Sequence, residues 1–172
     1  GPVLPAEAQQ RLVLIQAALR VDRAQVIDRF TPYRRLARLA DWVLEHPAGL
    51  TYLADQFLID LLVWYHLAWL GETVRRTDAR ARQLIEKGGH YSLADRSVLI
   101  GLLAELMASI IPRYRKLAEQ GRIELSVTPY SHPILPLLLD FKAAHEAQPQ
   151  ASLPLAAGYP GGEARALWQI LE

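Results

Sequence analysis

Apolar residues recur at helical spacing over the first part of the chain. The spacing is near three, four and seven residues, as on one face of an amphipathic helix. We therefore predict a helix over residues 6–30, and the pattern is compatible with a break near Val21-Asp22. The apolar positions of this pattern are Leu12, Ile15, Leu19, Val26 and Phe30.

The next two helices are predicted from their end signals. Thr31-Pro32 resembles an N-cap followed by proline at the first helical position, and the helix that it opens should end at His46-Pro47. Thr51 is predicted to cap a third helix that runs to about Leu70. This third helix is apolar almost all round, so we expect it to lie in the middle of a bundle.

Two further helices have clear boundaries. A short arginine-rich helix over about residues 78–87 should end at Gly88-Gly89. Ser92 and Asp95 have the spacing of a capping box, with aspartate in place of the usual glutamate. They should open a long helix over about residues 93–119, which Pro112 is expected to kink and Gly121 to terminate.

The pattern then changes to the alternation that is typical of a strand. Over residues 122–128, Ile123, Leu125 and Val127 alternate with polar positions, and Pro129 ends the run. A single strand cannot satisfy its own backbone groups. Either a partner strand lies outside this chain, or two copies pair, or the segment is not a strand. A helix to about residue 147, a loop over residues 148–162 and a final helix should follow.

The predicted fold class is therefore mainly α, a helical bundle with one short strand-turn-helix unit. We expect residues 3–120 to form the bundle and residues 121–172 to form the strand-turn-helix unit with a loop and a last helix, packed together as one domain. Gly1-Pro2 resembles the remnant of a cleaved tag and is excluded from the argument. The start of the chain and the single predicted strand without a partner suggest a piece of a longer protein.

Composition limits the classes of partner. A formal net charge of +1 provides no field that would attract nucleic acid or a membrane surface. The most apolar run, residues 57–70, is shorter than the roughly 20 residues that a bilayer requires. There is no cysteine, which excludes disulfides and thiolate metal sites. We expect a soluble cytoplasmic protein, with an exposed strand edge through which copies could associate.

Few residues suggest chemistry. None of the five histidines has metal-ligand spacing, and no nucleophile elbow or phosphate loop is present, so we expect no metal, no cofactor and no catalytic residue. His66 is expected inside the core, and so are Trp42, Trp64 and Trp69, whereas Trp168 could be buried or exposed. Glu124 and His132 form the one candidate pair, although the spacing alone favours a solvent-facing strand glutamate and a turn histidine without a functional role.

Four segments resemble glycoside hydrolase family 57. Residues 121–138, GRIELSVTPYSHPILPLL, resemble the second signature region of that family, and residues 60–70, DLLVWYHLAWL, resemble the helix ahead of it. The family's sequence patterns are also matched by residues 111–115, IPRYR, and by Tyr159-Pro160. The resemblance covers roughly two-thirds of the chain, from about Leu50 to the end.

The resemblance implies a piece of an incomplete β/α barrel that acts on α-glucan with retention of configuration. The family's glutamate nucleophile and aspartate acid belong to motifs that this sequence does not contain. Only Glu124 and His132 match positions that face the sugar in the family, and their implied role is to orient substrate. Residues 160–163, PGGE, depart from the family, whose members tend to have an acidic helix start directly after the proline.

Two functions from different classes follow. The first is a fragment of an α-glucan-active hydrolase or transferase that is inactive alone and binds α-glucan or maltooligosaccharide. The alternative is a non-enzymatic helical module, derived from the same fold, whose exposed apolar faces dock a partner protein.

Overall fold

The computed structural model describes residues 4–126 and 128–171, and over this part the chain is mainly α, as predicted. It divides into two compact units, an N-terminal unit of residues 1–113 and a C-terminal unit of residues 114–172. The α-helices are α1 (Ala8–Ala18), α2 (Thr31–Glu45), α3 (Asp55–Trp69), α4 (Glu72–Thr77), α5 (Ala79–Lys87), α6 (Leu93–Glu119), α7 (Leu135–Leu139), α8 (Ala144–Ala147) and α9 (Gly162–Leu171). Short π- and 3₁₀-helical turns cover Arg23–Ile27, Pro47–Tyr52 and Phe141–Ala143.

The first predicted helix is interrupted at the expected place. After α1 ends, the chain forms a π-helical turn over Arg23–Ile27. The Asp22 carboxylate caps this turn by accepting a hydrogen bond of 2.7 Å from the Gln25 backbone N–H. A short polar side chain at this position therefore caps the turn that follows α1.

Two predicted N-caps are wrong. Helix α2 includes Thr31, and its N-cap is Phe30, which makes no side-chain capping bond. The Thr51 hydroxyl donates to the Ala48 carbonyl at 2.8 Å inside a 3₁₀ turn, and α3 begins only at Asp55. A threonine hydroxyl that is satisfied within its own turn does not cap the helix that follows.

The predicted ends of α5 and the start of α6 are confirmed. Gly88 ends α5 in the left-handed region, with a φ of +74°. Ser92 and Asp95 form the reciprocal capping box: the Ser92 N–H donates to the Asp95 carboxylate at 2.7 Å, and the Asp95 N–H donates to the Ser92 hydroxyl at 3.2 Å. Local sequence chemistry is sufficient to place these boundaries.

The core of the N-terminal unit is centred on α3, as its apolar sequence predicts. Leu61, Trp64 and Leu67 are almost fully buried there. The Trp64 ring packs against the Phe30 and Tyr33 rings, with centroids 5.4 and 6.5 Å away. The expectation that all three helical tryptophans are buried is wrong, because Trp42 and Trp69 are 45% and 59% exposed.

The predicted strand is not observed. Residues 122–126 and 128 have no regular secondary structure, and Val127 lies outside the described residues. No strand occurs elsewhere in the part of the chain that the structure describes, so this segment has no sheet to join. Alternating side chains cannot form a strand without a neighbour for their backbone groups.

In the C-terminal unit, glycines bring two segments of backbone together. A Cβ added to Gly162 would lie 1.7 Å from the Leu138 carbonyl oxygen, and one added to Gly158 would lie 2.4 Å from the Leu139 oxygen. The Phe141 N–H donates to the Ala157 carbonyl at 2.8 Å. The loop before α9 is therefore packed directly on α7, at a distance that only glycine permits.

Two predictions stay open. The Gly1-Pro2 pair lies outside the described residues. The packing of residues 3–120 and 121–172 as a single domain stays a prediction.

Candidate functional site

The segment that joins α6 to α7 carries Glu124. It leaves α6 through a Schellman motif, in which the Arg122 N–H donates to the Leu117 carbonyl at 3.0 Å and the Gly121 N–H donates to the Ala118 carbonyl at 2.9 Å. Gly121 has the left-handed φ of +63° that this motif requires. The sequence-predicted stop at Gly121 is thereby confirmed, and the chain that follows leads away from the helix.

The Glu124 side chain is exposed on this irregular segment. Within residues 4–126 and 128–171, no hydrogen bond or ion pair engages its carboxylate. An ionised carboxylate of this kind can accept several hydrogen bonds from the hydroxyl groups of a ligand.

His132 lies in a tight turn before α7. Its backbone N–H donates to the Pro129 carbonyl at 2.9 Å, and its φ is +57°. The left-handed region costs a non-glycine residue about 1–2 kcal/mol, so surrounding contacts must hold it. The His132 side chain is exposed. In the described residues its imidazole forms no hydrogen bond or ion pair with Glu124, although both belong to the same short stretch of chain.

The turn that carries His132 is joined to the last helix. The Ser131 N–H donates to the Gln169 side-chain oxygen at 2.6 Å, and the Gln169 side-chain nitrogen donates to the Ser131 hydroxyl at 3.2 Å. The Tyr130 ring meets the Trp168 ring edge-on, with centroids 5.7 Å apart. Sequence reasoning missed Ser131 and Gln169, because they are 38 residues apart and no local pattern links them.

The N-terminal unit contains a separate apolar pocket. It has a volume of about 270 Å³ and is lined by residues of α1, α3 and α6 and by Leu4 and Pro5 ahead of α1, with His66 and Arg96 as its polar members. His66 is exposed at this pocket, so its expected place inside the core is wrong. The neighbouring apolar side chains still remove part of the ring from water, and this desolvation lowers the pKa of His66.

A buried carboxylate in the same unit has a structural explanation. Asp60 is 7% exposed and accepts hydrogen bonds from the backbone N–H groups of His90 and Tyr91, at 2.8 and 3.0 Å. The Gln56 side chain donates to it at 2.7 Å. Asp60 therefore anchors the loop between α5 and α6, and both of its carboxylate oxygens accept hydrogen bonds from the protein itself.

Two further findings concern metal binding and membrane-spanning helices. In the described parts of the chain, no group of three or more His, Cys, Asp or Glu side chains could hold a metal ion. Among these residues, no helix has the length and apolar character that crossing a membrane requires.

Glu124 and His132 are both exposed side chains on the stretch of chain between α6 and α7. The model of a family described as glycosyl hydrolase family 57 matches residues 28–169. The chain therefore belongs to glycosyl hydrolase family 57. The match includes Glu124, His132 and Gln169. No curated protein and no solved structure matches the chain.

Proposed function

We propose that this chain is the sugar-orienting part of a retaining glycoside hydrolase that acts on α-1,4- or α-1,6-linked glucan, and that it does not cleave the bond alone. The observation that carries the proposal is the family match over residues 28–169, which includes an exposed Glu124 and an exposed His132. A sugar presents a dense set of hydroxyl donors and acceptors, and these two side chains are suited to meet them.

Each side chain has a distinct role in the proposal. The Glu124 carboxylate accepts hydrogen bonds from two neighbouring hydroxyls of one glucose unit. The His132 imidazole donates to one hydroxyl or accepts from it, depending on its tautomer. Together they would fix the position of the sugar ring without reacting with it.

Bond cleavage needs more than these two side chains. Retention of configuration requires two carboxyl groups about 5–5.5 Å apart across the scissile bond, one acting as nucleophile and one as acid. The family motifs that hold this pair are not among these residues. The proposal therefore assigns the nucleophile and the acid to another part of the enzyme.

Maltoheptaose binding to the isotope-labelled chain, followed by amide NMR, tests the proposal. We expect saturable shifts around residues 124 and 132, and loss of these shifts in Glu124→Gln and His132→Ala. Glu146→Gln is the matched control, because Glu146 is an exposed acid of the same unit. Cellohexaose, which has β-linkages, controls for the anomeric preference.

Two outcomes would overturn the proposal. Flat spectra up to tens of millimolar maltoheptaose would remove the sugar site. Release of reducing ends from amylose by the wild-type chain, above the level of Glu124→Gln, would contradict the assignment of cleavage to another part of the enzyme.

The alternative function, a docking module for a protein partner, is favoured by one observation. Met107, Ile110 and Ile111 lie at helical spacing on α6 and are 70%, 49% and 66% exposed. An apolar helical face of this kind is typical of a protein interface. Flat sugar titrations together with a stability that rises on addition of a partner would support this alternative.

A further inference from the structure

The His132 turn has a backbone conformation that does not persist by itself. A histidine at φ +57° occupies a region that non-glycine residues enter only when other contacts over-determine it. The turn has one internal backbone bond, from the His132 N–H to the Pro129 carbonyl. The remaining support must come from outside the turn.

That support comes from α9, where the Trp168 ring meets the Tyr130 ring and Gln169 supplies the hydrogen bonds. The Gln169 side chain uses both ends of its amide: its oxygen accepts from the Ser131 N–H at 2.6 Å, and its nitrogen donates to the Ser131 hydroxyl at 3.2 Å. In addition, the Gln169 carbonyl accepts from the Tyr130 N–H at 3.5 Å. The Gln169 amide group thus forms two hydrogen bonds with Ser131, the residue directly before His132.

We propose that Gln169 is a positioning residue that acts through Ser131 to hold His132 in its sugar-facing conformation. Without this pair of hydrogen bonds the turn is free to leave the left-handed region, and the imidazole no longer points where the substrate requires it. The inference rests on the sugar-orienting function proposed above. It assigns a role to a residue that does not itself contact the sugar.

Two substitutions at Gln169 distinguish the effect of its hydrogen bonds to Ser131 from the effect of its side-chain packing. Gln169→Met keeps the length and the helix propensity of the side chain but removes both hydrogen bonds to Ser131. Gln169→Glu should rescue the function, because a carboxylate can accept from the Ser131 N–H and from the Ser131 hydroxyl once that hydroxyl turns. Gln148→Met is the matched control, since it makes the same change at an exposed position of the same unit.

Two quantities are measured in the full chain: the affinity for maltoheptaose and the exchange rate of the Ser131 amide proton. We expect Gln169→Met to bind about fivefold more weakly and to exchange the Ser131 amide faster. Gln169→Glu and Gln148→Met should stay within about twofold of wild type in both quantities. Ser131→Ala, which leaves α9 intact and removes one of the two bonds, should weaken binding by about twofold and serves if Gln169→Met does not fold.

The results distinguish this inference from the function on which it rests. Saturable binding by wild type with unchanged affinity in Gln169→Met and Ser131→Ala would overturn the positioning role alone. Equal losses in Gln169→Met and Gln169→Glu would also overturn it, because the hydrogen bonds would then not be the cause. Absence of binding by wild type would overturn the proposed function and this inference together.

Discussion

The two units of this chain are held together in different ways. The N-terminal unit has a continuous apolar core, in which side chains of α1, α2, α3, α5 and α6 are almost fully buried. In the described part of the C-terminal unit, only Gly162 and Ala166 are buried. One unit therefore depends on the packing of large side chains, and the other depends on close approach of backbone segments.

The difference explains where the candidate sugar residues lie. Buried side chains cannot contact a ligand from solvent, and Trp64 and Asp60 are buried in this way in the N-terminal unit. In the C-terminal unit, backbone contacts and the Ser131–Gln169 pair provide the order. Glu124 and His132 remain exposed.

The largest effect is expected at Trp64. Trp64→Ala removes a ring that is 1% exposed and leaves the Gly88 carbonyl without the indole N–H that donates to it at 3.0 Å. We expect a loss of about 3–5 kcal/mol in the free energy of unfolding of the N-terminal unit, measured by urea denaturation. Trp69→Ala is the matched control and should cost less than about 1 kcal/mol, because that ring is exposed. Equal losses of stability in Trp64→Ala and Trp69→Ala would contradict the conclusion that the N-terminal unit depends on the packing of buried side chains.

A smaller effect, confined to the C-terminal unit, is expected at Gly162. In Gly162→Ala the new methyl group would meet the Leu138 carbonyl oxygen, so α7 and α9 must separate. We expect a cost of about 1–3 kcal/mol, seen as faster amide exchange in α9 with α3 unchanged.

Gly101→Ala in α6 is the control, and here we expect the same substitution to stabilise the protein and not to destabilise it. A Cβ at Gly101 meets nothing within 4 Å, so alanine should stabilise the helix by about 1 kcal/mol. If Gly162→Ala left the exchange of α9 unchanged, close backbone approach would not be what holds the C-terminal unit.

The smallest effect concerns acid stability at the start of α6. The Lys87 ammonium group, with the Ser92 hydroxyl and N–H, lowers the pKa of Asp95 to about 2. Because folding lowers this pKa, the contribution is fully present above the unfolded value of about 4 and is lost as pH falls from about 4 to about 2. We expect no more than about 1 kcal/mol, since the Lys87–Asp95 pair lies at the surface.

Denaturation of wild type and Asp95→Asn at about pH 5 and about pH 2 measures this contribution. The wild-type chain should lose more stability than the variant over that interval. Parallel losses would mean that other carboxylates dominate the acid response of the N-terminal unit.

Much of the fold follows from local sequence chemistry. The apolar run of α3, the Ser92–Asp95 capping box and the stops at Gly88 and Gly121 were predictable, because each depends on residues within one or two helical turns. The motif that contains Glu124 and His132 was also recognisable along the chain, since it is contiguous.

Other features were decided only by the tertiary structure. Whether residues 122–128 form a strand depends on a neighbouring strand, and alternation alone cannot supply one. The exposure of Trp42, Trp69 and His66 depends on which helix faces are covered, and a residue pattern does not specify that. The Ser131–Gln169 pair arises because the chain folds back over 38 residues, and a hydrogen bond between side chains leaves no periodic signal in the sequence.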